Sequence, residues 1–225
     1  MFEGYSPQTI DFMWGIRFNN ERTWFLEHKA EYQRNLLAPT KALAEEVYEG
    51  LREKLPHEPL ILKVSRIYRD ARRLHGRGPY KDHLWFCVRT GDEDWQGRPT
   101  FYFEIAPDYY SYGLGMWCAR AAAMACFRRE ASAHPEKLSR LVRSVQRKGR
   151  FELTGEDYVR DKGAPTELLR PWFQKKSLSL EFSRPPEERL FHPELAQEVV
   201  SELGELVPFY RYFAKICAMS DDICE

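Results

Sequence analysis

The stretch TFYFEIA (residues 100–106) decides the fold class, because its side chains alternate with a period of two. Phe101, Phe103 and Ile105 fall on one face of an extended strand, whereas Tyr102 and Glu104 fall on the other. Such alternation is typical of a strand that turns one face to the core and leaves the other accessible. It predicts a sheet with a dry side and a polar side, and it places a carboxylate, Glu104, beside aromatic rings.

Further extended segments flank this strand at residues 60–64, 84–88 and 110–118, and another alternating run follows at 177–182. The short connections between 84–88, 100–106 and 110–118 predict an antiparallel meander. Gly113 and Gly115 interrupt the run at 110–118, which indicates a bulge or a close approach of the backbone to another group. Residues 151–161 carry no clear period and are expected to be irregular.

Helical periods surround the strands. Ser6 and Pro7 predict a helix start, and Pro39 is expected to kink or restart the helix that follows. Pro135, Pro193 and Pro208 mark later starts. We therefore expect an α+β fold with an antiparallel sheet of about four to six strands, covered mainly on one face by N-terminal, middle and C-terminal helices. One domain is expected over 1–225, helical over 1–58, sheet-rich over 59–118, and helical with one further strand over 119–225.

Composition places the chain among folded globular proteins. Hydrophobic residues make up 43% and aromatic residues 14% of 225 residues, which excludes wholesale disorder. The five cysteines are scattered without a CxxC pair, which favours reduced thiols over a disulfide framework. The chain shows neither a signal peptide nor an apolar run of the ~20 residues needed to span a bilayer, so we expect a cytoplasmic protein without membrane contact.

The segment KVSRIYRDARRLHGRGPYK (residues 63–81) holds seven basic residues and one acid in a chain of zero net charge. Arg matches phosphate or carboxylate as a planar fork, and Lys matches them as a point charge, so the segment predicts an anion site. Asp70 and Glu104 are the candidate acid/base groups, because neighbouring guanidinium groups keep a carboxylate ionised. The candidate ligand-binding residues are Arg66, Tyr68, Arg69, Arg72, Tyr80, Lys81 and Tyr102.

Arg66 and Arg69 are expected to be mostly buried and paired with a carboxylate, Asp70 or Glu104, because guanidinium groups leave water only when matched. The alternative is an ordinary ion-pair network at the end of a strand. Under the leading hypothesis the protein binds a small molecule bearing a phosphate or carboxylate. Whether it also catalyses a reaction stays open.

The distribution of charged residues along the chain leaves two other functions open. Residues 120–150 carry nine basic and two acidic residues, so together with 63–81 they suit a nucleic-acid surface. Residues 187–225 carry nine acids and three bases, which suits an interaction module that uses its C-terminal helices against a basic partner. The histidines show no metal-ligand spacing, and no P-loop, GxGxxG or GxSxG motif occurs, so no metal or cofactor is predicted.

Several spaced positions carry a resemblance to a known family. They are Phe2, Gly4 and Tyr5; Asn19-Asn20 followed by Trp24-Phe25, Tyr32 and Pro39; the run Ser65-Arg66-Ile67-Tyr68-Arg69-Asp70 with Arg72; and Pro79-Tyr80-Lys81. This pattern resembles the uncharacterised bacterial and fungal family called domain of unknown function 2461. The residues between Arg72 and Pro79 depart from the family's usual run. The resemblance implies an α+β fold and no particular activity.

Overall fold

One antiparallel sheet organises the part of the chain that the computed structural model describes, residues 1–70, 72, 76, 78–91 and 95–222. Its six strands are β1 (Leu60–Val64), β2 (Leu84–Thr90), β3 (Thr100–Ile105), β4 (Tyr110–Gly115), β5 (Glu152–Thr154) and β6 (Ser179–Arg184). Their order is β1-β2-β3-β4-β6-β5, and every neighbouring pair is antiparallel. The predicted α+β class and the meander of β2, β3 and β4 are confirmed.

The prediction of irregular structure at residues 151–161 is wrong for the three residues of β5. It has only three residues and lies at the edge of the sheet, where Leu153 pairs with Leu180 of β6. A three-residue strand is too short to show a period of two. Its conformation follows from pairing with β6, which the local sequence does not announce.

The strand register separates the two faces of the sheet. On one face, a row across β2, β3, β4 and β6 consists of Phe86, Phe103, Tyr112 and Phe182, all of them buried. On the other face, the adjacent row consists of Trp85, Glu104, Ser111 and Ser183. The alternation of β3 therefore extends over the sheet, with an apolar covered face and a polar open face.

Helices cover the apolar face. They are α1 (Pro7–Phe18), α2 (Arg22–Glu27), α3 (Lys29–Glu31), α4 (Ala38–Lys54), α5 (Ala121–Ala133), α6 (Pro135–Lys148), α7 (Arg170–Gln174), α8 (Leu195–Glu205) and α9 (Val207–Asp221). The helix α4 packs on β1 and β2, α8 packs on α4 and β4, and α5 packs on α9. The Phe101 ring stacks on Tyr210 of α9 with centroids 5.3 Å apart. Buried side chains from Phe2 to Cys217 form one hydrophobic cluster.

Pro39 does not break its helix, because the preceding turns adapt to it. Residues Tyr32–Leu37 form a π-helical stretch that leads directly into α4. Proline cannot donate to the carbonyl four residues earlier, which here belongs to Asn35. The buried Thr9 hydroxyl of α1 donates to that Asn35 carbonyl at 2.5 Å instead. No helix in the described ranges combines the length and the hydropathy that a membrane span requires.

Candidate functional site

A concave pocket lies on the open face of the sheet and has a volume of about 420 Å³. We call it the open-face pocket. It is lined by Trp85, Cys87, Trp95, Gln96, Tyr102, Glu104, Tyr109, Ser111, Trp117, Glu181 and Ser183. Aromatic rings and polar groups therefore share one concavity of the size that small-molecule sites have.

The pocket exists because β4 presents small residues to the open face. Ser111, Gly113 and Gly115 alternate along this strand, and the larger Tyr102 of β3 and Glu181 of β6 lie on either side of Gly113. A Cβ atom on Gly113 would lie 2.0 Å from the backbone oxygen of Leu180, so no other residue fits there without moving β6. The close approach predicted for Gly113 is thus an approach to the neighbouring strand. Tyr102 and Glu181 reach each other across this gap.

Aromatic rings form the walls of the pocket. The Trp117 ring stands at 70° to Tyr102, with centroids 5.1 Å apart, and at 74° to Trp95, with centroids 6.2 Å apart. Trp85 continues the wall, with its centroid 6.3 Å from that of Trp95. The Cys118 backbone N–H donates to the Gln96 carbonyl at 2.9 Å and so ties together the two loops that carry these tryptophans.

Two carboxylates in the pocket are held by tyrosine hydroxyls. Tyr102 donates to Oε2 of Glu181 at 2.8 Å, and Tyr109 donates to Oε1 of Glu104 at 2.7 Å. Burial, and then the neighbouring glutamate, raises the pKa of each tyrosine, so both hydroxyls stay protonated and donate. Within the described residues, neither Glu104 nor Glu181 has a salt-bridge partner.

Lys81 lies beside the pocket, and we call it, together with Arg66 and Arg69, whose charges act on it, the basic rim. The Lys81 ammonium lies 5.5 Å from the centroid of the Trp85 ring. Burial and the positive charge of Arg69 lower the pKa of Lys81 to about 8, against an opposing attraction from Glu104. Lys81 therefore interacts electrostatically with both the basic segment and a carboxylate of the pocket, and it links the two.

The remaining predicted residues lie outside the pocket. Arg66 is exposed, so the expectation that it is buried and paired is wrong: the chain leaves β1 at Val64, and this side chain points to solvent. Arg69 is half-buried as expected, but its guanidinium bonds the Tyr80 carbonyl at 2.8 Å and lies 3.7 Å from Asp82. Neither Asp70 nor Glu104 is its acidic partner among these contacts.

Asp70 forms an ion pair with Arg72 at 2.9 Å on the surface, where the Arg72 side chain is 89% exposed. Tyr68 is exposed, and the buried Tyr80 stacks on Phe25 with centroids 4.3 Å apart. The structure therefore brings together Tyr102 and Glu104, with Lys81 beside them, and leaves the other candidates on the adjoining segment. Three further positions of the segment, Arg73, His75 and Arg77, lie outside the described residues.

Sequence reasoning missed most of the pocket wall, namely Trp85, Trp95, Trp117, Tyr109 and Glu181. A signal existed for Trp85, because the period of two places it with Cys87 on the face opposite Phe86. Glu181 carried a similar signal in the alternation of β6. In the described part of the chain, no group of three or more His, Cys, Asp or Glu side chains is arranged to hold a metal ion.

Comparison with known proteins gives a family and no activity. No curated protein matches the chain. Residues 8–212 match the family described as conserved hypothetical protein (DUF2461). The match covers most of the 225 residues, including the whole sheet and the lining of the open-face pocket, and the chain therefore belongs to this family.

Proposed function

We propose that the protein binds a small organic molecule in the open-face pocket, with a phosphate or carboxylate of the ligand facing Lys81. The observation that carries the proposal is the position of Lys81: a half-buried cation at 5.5 Å from Trp85, at the margin of a pocket of about 420 Å³. A partly buried cation has lost part of its hydration. An anion that binds beside it stabilises the charged form, because it replaces the interactions with water that burial removed.

The pocket supplies the remaining features of a small-molecule site. Trp85, Trp95 and Trp117 offer rings on which a flat or apolar ligand body stacks. Glu104 and Glu181 offer carboxylate oxygens at fixed positions, since tyrosine hydroxyls orient both groups. Of the two acid/base candidates, Glu104 lines the pocket, whereas Asp70 forms an ion pair with Arg72 outside it. The proposal concerns binding and specifies no reaction.

Calorimetric titration with phenyl phosphate and with inorganic phosphate tests the proposal. We expect phenyl phosphate to bind more tightly than inorganic phosphate, because its ring stacks on the tryptophans. Lys81→Met should weaken phenyl phosphate about tenfold or more, since a hydrogen bond between charged groups is lost. The matched control is Arg140→Met, which removes an exposed cation from α6 and should leave binding unchanged. Equal affinities for wild type and Lys81→Met would overturn the proposal.

A further inference from the structure

The interior of the open-face pocket has a charge opposite to that of its basic rim. Glu104 and Glu181 both line the pocket, and within the described ranges no Lys, Arg or His forms a salt bridge with either. Each receives one tyrosine hydroxyl, which leaves further lone pairs on each carboxylate. An anion placed beside these two groups would be repelled, so an anionic group of a ligand has to stay near Lys81.

The aromatic walls favour a positive charge at the same place. Trp117 stands nearly perpendicular to both Tyr102 and Trp95, and all three rings line the pocket; we call the space that they border the box. The face of an aromatic ring carries negative potential and attracts a cation within about 6 Å of its centroid. Glu181 lines this corner of the pocket and supplies a full counter-charge.

We infer that the ligand carries an organic ammonium group, which lies in the box formed by Tyr102, Trp95 and Trp117 and is neutralised by Glu181 and Glu104. This inference rests on the proposed function and completes it: with an anionic group facing Lys81, the ligand is a zwitterion.

The test uses a pair of probes that differ in charge and not in shape. Choline and 3,3-dimethylbutan-1-ol have the same outline, with nitrogen replaced by carbon in the second. We expect choline to bind the full chain at least about tenfold more tightly, because only choline gains cation–π and ion-pair energy. Its affinity should fall as salt is added, and that of the neutral alcohol should not. Titration is followed by tryptophan fluorescence, since three tryptophans line the pocket.

Glu181→Gln is the decisive variant, because an amide oxygen still accepts the Tyr102 hydroxyl while the charge is gone. We expect it to weaken choline about tenfold and to leave 3,3-dimethylbutan-1-ol unchanged. The matched control is Glu152→Gln: Glu152 pairs with Glu181 in the strand register, is exposed and does not line the pocket. Thermal unfolding of both variants checks that the fold is retained.

A third probe, phosphocholine, separates this inference from the proposed function. If both hold, phosphocholine binds more tightly than choline, and Lys81→Met removes the gain. Equal binding of choline and its neutral isostere overturns the ammonium inference even when phenyl phosphate still depends on Lys81. If choline binds more tightly than its neutral isostere but Lys81→Met has no effect on binding, the ammonium inference is supported. The proposal that an anionic group of the ligand faces Lys81 is then overturned.

Discussion

The Asp82 carboxylate lies close to three basic groups, one from α1 and two from the connection between β1 and β2. Arg17 of α1 lies 2.6 Å away, the His83 ring nitrogen Nδ1 lies 3.0 Å away, and Arg69 lies 3.7 Å away. The hydrogen bond with His83, and then the bond with Arg17, holds the pKa of Asp82 well below its usual range. This carboxylate therefore ties the basic segment to α1.

Asp82→Asn should lower the free energy of unfolding by about 2 kcal/mol, because the partly buried guanidinium groups of Arg17 and Arg69 both lose a charged partner. Urea denaturation at pH 7 measures the loss. Asp108→Asn is the control: Asp108 binds the same Arg17 at 3.1 Å but is 51% exposed, so its loss should stay below about 1 kcal/mol. Since the folded pKa of Asp82 is depressed, its contribution is present above the unfolded pKa of about 4 and is lost below it. Wild type and Asp82→Asn should converge in acid; a constant difference down to pH 2 would contradict this explanation.

Lys81 should give the stability a pH dependence on the alkaline side. Its pKa falls from 10.5 to about 8 on folding, so between these values the unfolded chain binds more protons than the folded one. The free energy of unfolding of wild type should therefore rise with pH in this window, relative to Lys81→Met, by on the order of 1 kcal/mol. Parallel denaturation series of the two proteins from pH 7 to pH 10.5 measure it. A difference that does not change with pH would mean that the lysine is fully hydrated.

At the scale of elements, the strand β4 determines both the pairing with β6 and the space above the sheet. Its residues Ser111, Gly113 and Gly115 lie on the open face, where Ser111 lines the pocket, while Tyr110, Tyr112 and Leu114 face the helices. One strand thus fills the core with large side chains and leaves the opposite face nearly bare. The pocket is a consequence of this difference in side-chain size along β4.

Gly113→Ala should destabilise the protein by about 2 to 3 kcal/mol, because the new methyl group meets the Leu180 carbonyl oxygen at 2.0 Å and forces β4 and β6 apart. Thermal and urea unfolding report the loss. Gly91→Ala is the matched control, since a Cβ atom there meets nothing within 4 Å and the backbone needs no left-handed conformation. Equal stability of both variants would show that the two strands separate without cost.

At the scale of the whole molecule, the segregated charges are partly neutralised within the chain. Lys148 pairs with Glu205 at 2.5 Å, Arg150 pairs with Glu202 at 3.0 Å, and Arg120 pairs with Asp221 at 3.4 Å. The acidic C-terminal helices therefore already have basic partners inside the molecule, which weakens the case for an interaction module.

The two basic regions also lie far apart. The segment at 63–81 connects β1 and β2 at one edge of the sheet, whereas α6 leads into β5 at the opposite edge. Five strand spacings separate these edges, or about 24 Å. This separation favours a local anion site over one continuous nucleic-acid surface.

We therefore expect Arg140→Ala combined with Arg147→Ala on α6 to leave the binding of phenyl phosphate unchanged, and Lys81→Ala combined with Arg72→Ala to abolish it. Labelled duplex and single-stranded oligonucleotides, titrated at low and moderate salt, provide the comparison. Binding to them should be weak. A nucleic-acid surface would instead bind the oligonucleotides tightly, and both pairs of substitutions would weaken this binding equally. Its affinity would fall by about 0.7 to 0.9 log units per phosphate contact for each tenfold rise in salt concentration.

Local sequence patterns predicted the α+β class, the two faces of β3 and the helix starts at Pro7 and Pro135, and all of these are confirmed. They are encoded locally: side-chain alternation sets which face of a strand is buried, and proline fixes the backbone at the first turn of a helix. Glu104 and Tyr102 could be assigned to the polar face for the same reason.

The contacts between polar groups, in contrast, depend on how distant segments of the chain pack together. Tyr102 and Glu181 are 79 residues apart in the chain, and they touch because β6 inserts beside β4. The exposure of Arg66 and the pairing of Arg69 with Asp82 likewise depend on where β1 ends and how α1 packs. Strand order, and with it the carboxylates and tryptophans of the pocket, follows from burying one common core, which no local period specifies.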